Sequence, residues 1–467
     1  MHEVKGGFIV KVCIIGLGYI GFPTACVVTK AGYEVLGVDT NSDIIIKLKN
    51  GGLHIINEDG LADIAREAFN EGRLRVSDKP EPADVFIIAV PTPFRQNFYR
   101  QENSLAGNDV VAEKVAATSV KDRFRGNDLP YTADLSYVER ATRDLATYLS
   151  KGNLVILEST VPPGTTVNLV QTVLEEETGL VCGHDFFLAH APERVLPGNI
   201  LHELIYNDRV IGGVDSESGE RAVAFYKSFV KGDVVKTDAT TAELVKLMEN
   251  TFRDVNIALA NEFALIAEKL GVDIFHAISL ANRHPRVNIL KPGPGVGGHC
   301  LAVDPYFIVQ VVPETARLIS LAREINSTMP YHVMRLFEGI ATRCAQKGKP
   351  VKKVALLGAS YKANVGDERE SPAIKVAHLL SEKGYPVVIH DPYIEIYNSL
   401  SLDDVVRRAD VLILLTDHDI YRAQLEPHKV FNLMRQPVVL DTRGFFGQEW
   451  DAMGFEMIRL GVGKRSC

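Results

Sequence analysis

The residues best equipped for chemistry sit in one short stretch, Lys291-Pro-Gly-Pro-Gly-Val-Gly-Gly-His-Cys-Leu-Ala-Val-Asp-Pro305. Cys300 closes a glycine run, next to His299 and four residues before Asp304. A thiol delivered on a loop with ionisable neighbours is a candidate nucleophile; a tight turn around a buried structural cysteine is the plainer reading. Four glycines and three prolines exclude a helix or a central strand here. Glycine backbone also lets N–H groups approach a ligand closely, which is how this run is read. Some fifty residues earlier, Lys246 and Asn250 stand four apart in an apolar repeat and share a helix face. Such a pair can hold a developing oxyanion or poise a water; a solvated stripe is the alternative.

These side chains need elements to carry them. Residues 8–15 read as a buried parallel strand running into Gly16-Leu-Gly-Tyr-Ile-Gly21, then a helix to Ala31, then a strand over 34–38 that ends in Asp39. This is a dinucleotide-binding βαβ pattern. Gly16, Gly18 and Gly21, with Tyr19 and Ile20 between them, form a tight turn that lets a pyrophosphate rest on a helix N-terminus. Asp39 stands where a carboxylate accepts from a ribose 2′-hydroxyl, and it repels a 2′-phosphate, so NAD rather than NADP is expected. Three later strands, over 84–90, 153–157 and 186–190, end in Thr92, in Ser159 and Thr160, and in Glu193. Ligands of open parallel sheets lie beyond such strand ends. Residues 94–135 are polar without clear periodicity, which predicts a surface insertion with a short helix near 110–117.

A single long helix is predicted over 239–271, capped by Asp238 or Thr240 and stopped at Gly271. It is long enough to be a spine between domains or a dimer interface. Arg283 and Arg286 precede the glycine–cysteine loop and can anchor phosphate or sugar oxygens. After a helix over 314–344, a second βα series starts at Lys353 without the full glycine fingerprint, carrying Lys362 and Arg443 at its strand ends. The expected fold is therefore α/β, with two Rossmann-like doubly wound domains joined by a long central helix. Residues 1–214 would form the NAD-binding domain, 215–325 a central helical domain with the cysteine loop, and 326–467 the C-terminal domain.

Size and composition agree. A chain of 467 residues exceeds one hydrophobic core. A net charge of −8 argues against nucleic-acid and anionic-membrane partners. Six scattered cysteines without a CxxC pair suggest neither zinc nor disulfides, and no metal is expected. There is no signal-peptide h-region and no run of membrane-spanning length, so a cytoplasmic, reduced protein is expected.

Seven motifs in order carry a resemblance: Gly16-Leu-Gly-Tyr-Ile-Gly-Phe-Pro, Val90-Pro-Thr-Pro, Glu158-Ser-Thr-Val-Pro-Pro-Gly, Pro192-Glu-Arg-Val-Leu-Pro-Gly, Lys246-Leu-Met-Glu-Asn, Gly297-Gly-His-Cys and Gly366-Asp-Glu-Arg-Glu-Ser-Pro. Over nearly its whole length the chain resembles the UDP-glucose/GDP-mannose dehydrogenase family. Phe252-Arg-Asp-Val-Asn-Ile-Ala and the run from Asn282 to Cys300 are most similar to the branch acting on UDP-N-acetyl-D-mannosamine. The resemblance implies NAD-dependent four-electron oxidation of a C6 alcohol to a carboxylate. Cys300 would form a thiohemiacetal and then a thioester. Lys246 and Asn250 would stabilise oxyanions, Asp304 would activate water for hydrolysis, and Glu193 and Thr160 would position groups at the reacting carbon. Thr92, Ser159 and Thr160 would border the cofactor. Glu193, Arg194, Val195, Lys246, Asn250, Arg253, Arg286, Gly297, Lys362 and Arg443 would hold a UDP-sugar. A homodimer or higher homo-oligomer is implied. UDP-N-acetyl-D-glucosamine and UDP-glucose are alternative substrates. A non-catalytic sugar-nucleotide-binding homologue and a two-electron 2-hydroxyacid-type dehydrogenase are readings from other classes. Two departures stand out: Pro197 replaces a second glutamate of the UDP-glucose enzymes, and the 94–135 insertion is longer than the family pattern.

Overall fold

The computed structural model describes residues 10–55, 58–96, 131–195 and 198–463. The chain divides into two units, Met1–Glu249 with Tyr306–Glu314, and Asn250–Pro305 with Thr315–Cys467.

Among the described residues the first unit has ten strands: β1 (Lys11–Ile15), β2 (Glu34–Val38), β3 (Leu74–Ser77), β4 (Val85–Ile88), β5 (Phe94–Gln96), β6 (Tyr131–Ala133), β7 (Leu154–Leu157), β8 (Phe187–His190), β9 (Arg209–Gly213) and β10 (Val234–Asp238). Eight form one sheet in the order β10-β9-β8-β7-β4-β1-β2-β3. Six of these, β3-β2-β1-β4-β7-β8, reproduce the Rossmann order, all parallel. β9 then pairs antiparallel to β8, and β10 parallel to β9. The central strands are uninterrupted apolar runs such as Val85-Phe-Ile-Ile88, buried throughout, because parallel sheets are covered on both faces.

The ends of the long insertion are more ordered than its composition suggests. β5 and β6 pair as an antiparallel ribbon, Phe94 opposite Ala133, with the Phe94 and Tyr131 rings edge to face. The expected helix at 110–117 lies outside the described residues, as do residues 8 and 9 of the expected first strand. The first predicted strand starts outside the described residues; the others begin or end within two residues of those observed, and β3, β5, β6, β9 and β10 were not predicted. β3 and β10 lie at the two edges of the sheet, with half or more of their side chains wet.

The second unit carries a five-stranded parallel sheet, β12-β11-β13-β14-β15, formed by β11 (Val354–Leu357), β12 (Val387–His390), β13 (Val411–Leu414), β14 (Val438–Asp441) and β15 (Glu456–Arg459). This is the other common doubly wound order; β15, its edge strand, was not predicted. Helix α1 (Gly21–Lys30) follows β1. Helix α2 (Ala239–Leu270) runs as one element across the division between the units, as expected for the long helix. Asp238 caps it, accepting from the Thr241 N–H at 2.8 Å and hydroxyl at 2.6 Å. Helix α3 (Ile274–Ala281) and helix α4 (Arg317–Gln346) pack in the second unit, where α2 contributes Ala260, Ala264 and Ala267 to the same core as Met329, Val333 and Phe337 of α4.

Candidate active site

In the first unit the turn after β1 explains each of its glycines. Gly16 has φ +98, and a Cβ there would lie 2.5 Å from the Ala89 carbonyl oxygen. A Cβ on Gly21 would run into the Gly16 carbonyl. Gly18 differs: nothing lies within 4 Å of the place its Cβ would occupy, so the backbone is open to a ligand there. Tyr19 is exposed and Ile20 half-buried beside it. The first turn of α1 has neither a side-chain cap nor an acidic residue, so nothing charged opposes an anion at this helix N-terminus. Asp39, at the end of β2, accepts from Leu17 N–H and Asn41 N–H, each at 2.8 Å, which fixes its carboxylate over the turn. These residues fit a dinucleotide with an unphosphorylated ribose.

The other strand ends are tied to one another. Thr92 donates to the Thr160 carbonyl at 2.6 Å, and Ser159 to the Val90 carbonyl at 2.7 Å, joining the loops after β4 and β7. Thr160 is half-buried. Glu243, a buried residue that sequence reading missed, accepts from Gly164 N–H at 2.5 Å and from the Thr166 N–H and hydroxyl at 2.7 and 2.6 Å. It pins the Val161-Pro-Pro-Gly164 loop to the start of α2.

Glu193 is buried and ion-paired with the buried Arg209. Its second oxygen accepts the Arg194 N–H at 2.6 Å. The Arg194 side chain pairs with Glu249 at 2.6 Å, and Val195 is half-buried. Behind them lies a second buried acid, Glu158, which accepts the Tyr226 hydroxyl at 2.6 Å. Burial pushes the Glu158 carboxyl up to about 7, with Glu193 adding to the rise. Glu158 was read as part of a motif, not as a titrating group; its partner Tyr226 stands 68 residues away, beyond any local pattern. Lys246 is 9% exposed on α2, so the solvated-stripe reading of this face fails. Pro197 lies outside the described residues.

In the second unit, Asn250 is 1% exposed. Its amide donates to Asp304 and its carbonyl accepts from Arg253, so three of the expected site residues form one hydrogen-bonded set. Cys300 is exposed, in a turn whose carbonyl accepts the Asp304 N–H at 2.8 Å and the Val303 N–H at 3.1 Å. The thiol and the Asp304 carboxyl are thus held on one short turn. His299 is exposed in the same turn.

Packing constrains the glycine run as well. A Cβ on Gly297 would lie 2.5 Å from the Glu370 carbonyl oxygen and 2.8 Å from the Tyr361 Cβ; one on Gly298 would lie 2.9 Å from the Tyr361 ring. One on Gly293 would strike the Arg443 guanidinium. At Gly297 and Gly298, packing against the unit's own residues already demands glycine, without any ligand. Arg443 is ion-paired with Asp417 at 3.0 Å. Arg286 and Lys362 are exposed.

Comparison with known proteins decides the family. Residues 10–230 match the NAD binding domain of the UDP-glucose/GDP-mannose dehydrogenase family, 240–328 its central domain and 355–448 its UDP binding domain. A UDP-N-acetyl-D-mannosamine dehydrogenase of Methanocaldococcus jannaschii is 43% identical over 99% of both chains. The chain belongs to the UDP-glucose/GDP-mannose dehydrogenase family. As a member it is an NAD-dependent UDP-sugar dehydrogenase, and the motif resemblance and the fold both stand. An NDP-N-acetyl-D-galactosaminuronic acid dehydrogenase of Ralstonia nicotianae is 41% identical over 93% of this chain and 96% of its own. The solved structure of a UDP-D-ManNAc dehydrogenase from Pyrococcus horikoshii superposes with a TM-score of 0.83 at 40% identity, covering 97% of this chain and all of the other. No described helix is long and apolar enough to cross a membrane.

Proposed function

We propose that this family member oxidises the C6 alcohol of UDP-N-acetyl-D-mannosamine to the uronate, reducing two NAD+ per sugar. The observation that carries the substrate is the 43% identity, over 99% of both chains, to a relative named for that reaction. We also propose a homodimer or higher homo-oligomer, and the cytoplasm as its location.

The residue roles follow from chemistry. NAD+, held at the glycine turn after β1 and by Asp39, would accept the hydride at each oxidation. The first hydride leaves C6 of the alcohol and gives an aldehyde. A free aldehyde presents no second hydride beside a leaving oxyanion, so the Cys300 sulfur adds to its carbonyl carbon. The resulting thiohemiacetal loses its hydride to a second NAD+ and becomes a thioester. Water, activated by Asp304, attacks the thioester carbon; the carboxylate leaves and the thiol is restored. Lys246 and Asn250 stabilise the oxyanions formed at each addition. Glu193 and Thr160 orient the reacting carbon. Gly16, Gly18, Tyr19, Ile20, Gly21, Asp39, Thr92, Ser159 and Thr160 bind NAD. Arg194, Val195, Arg253, Arg286, Gly297, Lys362 and Arg443 hold the UDP-sugar.

A second reading, oxidation of an N-acetylgalactosamine nucleotide, is favoured by the 41% identity to the Ralstonia nicotianae relative. NADH formation across UDP-N-acetyl-mannosamine, -galactosamine and -glucosamine and UDP-glucose separates these. The highest kcat/KM is expected with the mannosamine substrate. A higher value with any other sugar overturns the choice.

A further inference from the structure

Helix α2 presents a buried polar row that the reaction scheme leaves unused. Asp254 and Asn261 are both fully buried, four and eleven residues after Asn250 on the same face. In an apolar interface such groups are expensive unless they are fully bonded. Here their bonds lead to the two ends of the glycine–cysteine segment. Asn261 accepts the Gly293 N–H at 2.9 Å, and its amide donates to Asn326 at 2.9 Å. The Asn326 amide donates in turn to the Asp254 carboxylate at 2.8 Å and to its carbonyl at 3.0 Å. Arg323 donates to the same carboxylate oxygen at 2.6 Å and to the Leu301 carbonyl at 3.4 Å. The backbone is therefore fastened at Gly293 and at Leu301, and Cys300 lies immediately before the second fastening.

We propose that Asp254, Arg323, Asn261 and Asn326 are positioning residues that set Cys300 where it captures the aldehyde. The proposal rests on the thioester reading above. An apolar pair at Asp254 and Arg323 would hold α2 against α4 equally well, since buried ion pairs are commonly replaced by hydrophobic residues without loss of stability. The polar network adds direction: each of its outer bonds ends on the backbone of one loop. Formation of the carbon–sulfur bond is sensitive to displacement of the sulfur. The first hydride transfer does not use the thiol. Loosening the network should therefore spare the first oxidation and impair the second, with the aldehyde escaping before capture.

Two variants test this, Asp254→Leu/Arg323→Met and Asn261→Ser. In each, the first hydride transfer is followed in a single turnover, aldehyde is trapped as the oxime with hydroxylamine, and NADH per UDP-sugar is counted. Cys300 alkylation by iodoacetamide is timed by peptide mass. Overall turnover should fall by about 10²-fold, the scale of a 1 Å misplacement, while the first transfer stays within about twofold of the parent. Oxime should appear, NADH per sugar should drop from two towards one, and the alkylation rate should change. Folded variants that keep two NADH per sugar and yield no oxime would overturn the proposal. If the double variant does not fold, Asn261→Ser decides alone. If the parent enzyme itself gives one NADH, the thioester reading fails instead; an unaltered Cys300 alkylation rate in the variants then overturns the positioning role separately.

Discussion

Glu158 shows how a single buried group colours the behaviour of the whole chain. Its carboxyl sits at the end of β7, bonded by Tyr226 and facing the Glu193–Arg209 pair. Burial, then Glu193, raise its pKa from the ordinary 4.5 to about 7, while Arg209 and Tyr226 oppose the rise. A carboxyl whose folded pKa is raised stabilises the protein fully below its unfolded value and loses that contribution as pH climbs through the folded one. Between pH 4.5 and about 7 the parent should therefore lose stability relative to Glu158→Gln, which cannot titrate. Thermal melting of both proteins across that window checks it; a constant difference in Tm contradicts it. At this scale the sequence told much about Gly16, Gly21 and Asp39, because glycine spacing and strand-end acids have local causes. It told little about Glu158 or Glu243, whose partners are assembled by the fold from distant segments.

Among the elements, the glycine–cysteine segment was legible as a non-helical loop, but its packing partners were not. Gly297 and Gly298 are required by Tyr361 and Glu370, which arrive from the second βα series. No sequence pattern announces such close approaches. Gly297→Ala should accordingly cost about 1–3 kcal/mol through overpacking against backbone that cannot yield. Urea denaturation measures this, and an unchanged midpoint would refute the packing argument. The central strands and long helices were readable because their apolar runs and 3.6-residue repeats are continuous. The edge strands β3, β10 and β15 were not, since each buries only part of its side chains and takes its place from its neighbours.

For the whole molecule, the outer side of α2 is the conspicuous surface. Met248, Phe252, Ile266 and Leu270 are exposed there, Phe252 at 65%. Apolar surface of this extent on one helix marks an interaction site, and the proposed homodimer would cover it. Phe252→Glu should shift the protein towards the monomer by light scattering; an undisturbed dimer would move the interface elsewhere. The α/β plan and the family were legible because seven motifs occur in order, most of them at a strand end or loop and one, Lys246 to Asn250, on α2. The reaction itself is the claim on which every residue role depends. Its most direct measurement is NADH formed per UDP-sugar consumed, in the parent and in Cys300→Ser. The account predicts two NADH per sugar in the parent, and in the variant at most one, or a covalent species that stalls. Two NADH per sugar at full turnover without the Cys300 thiol would contradict it.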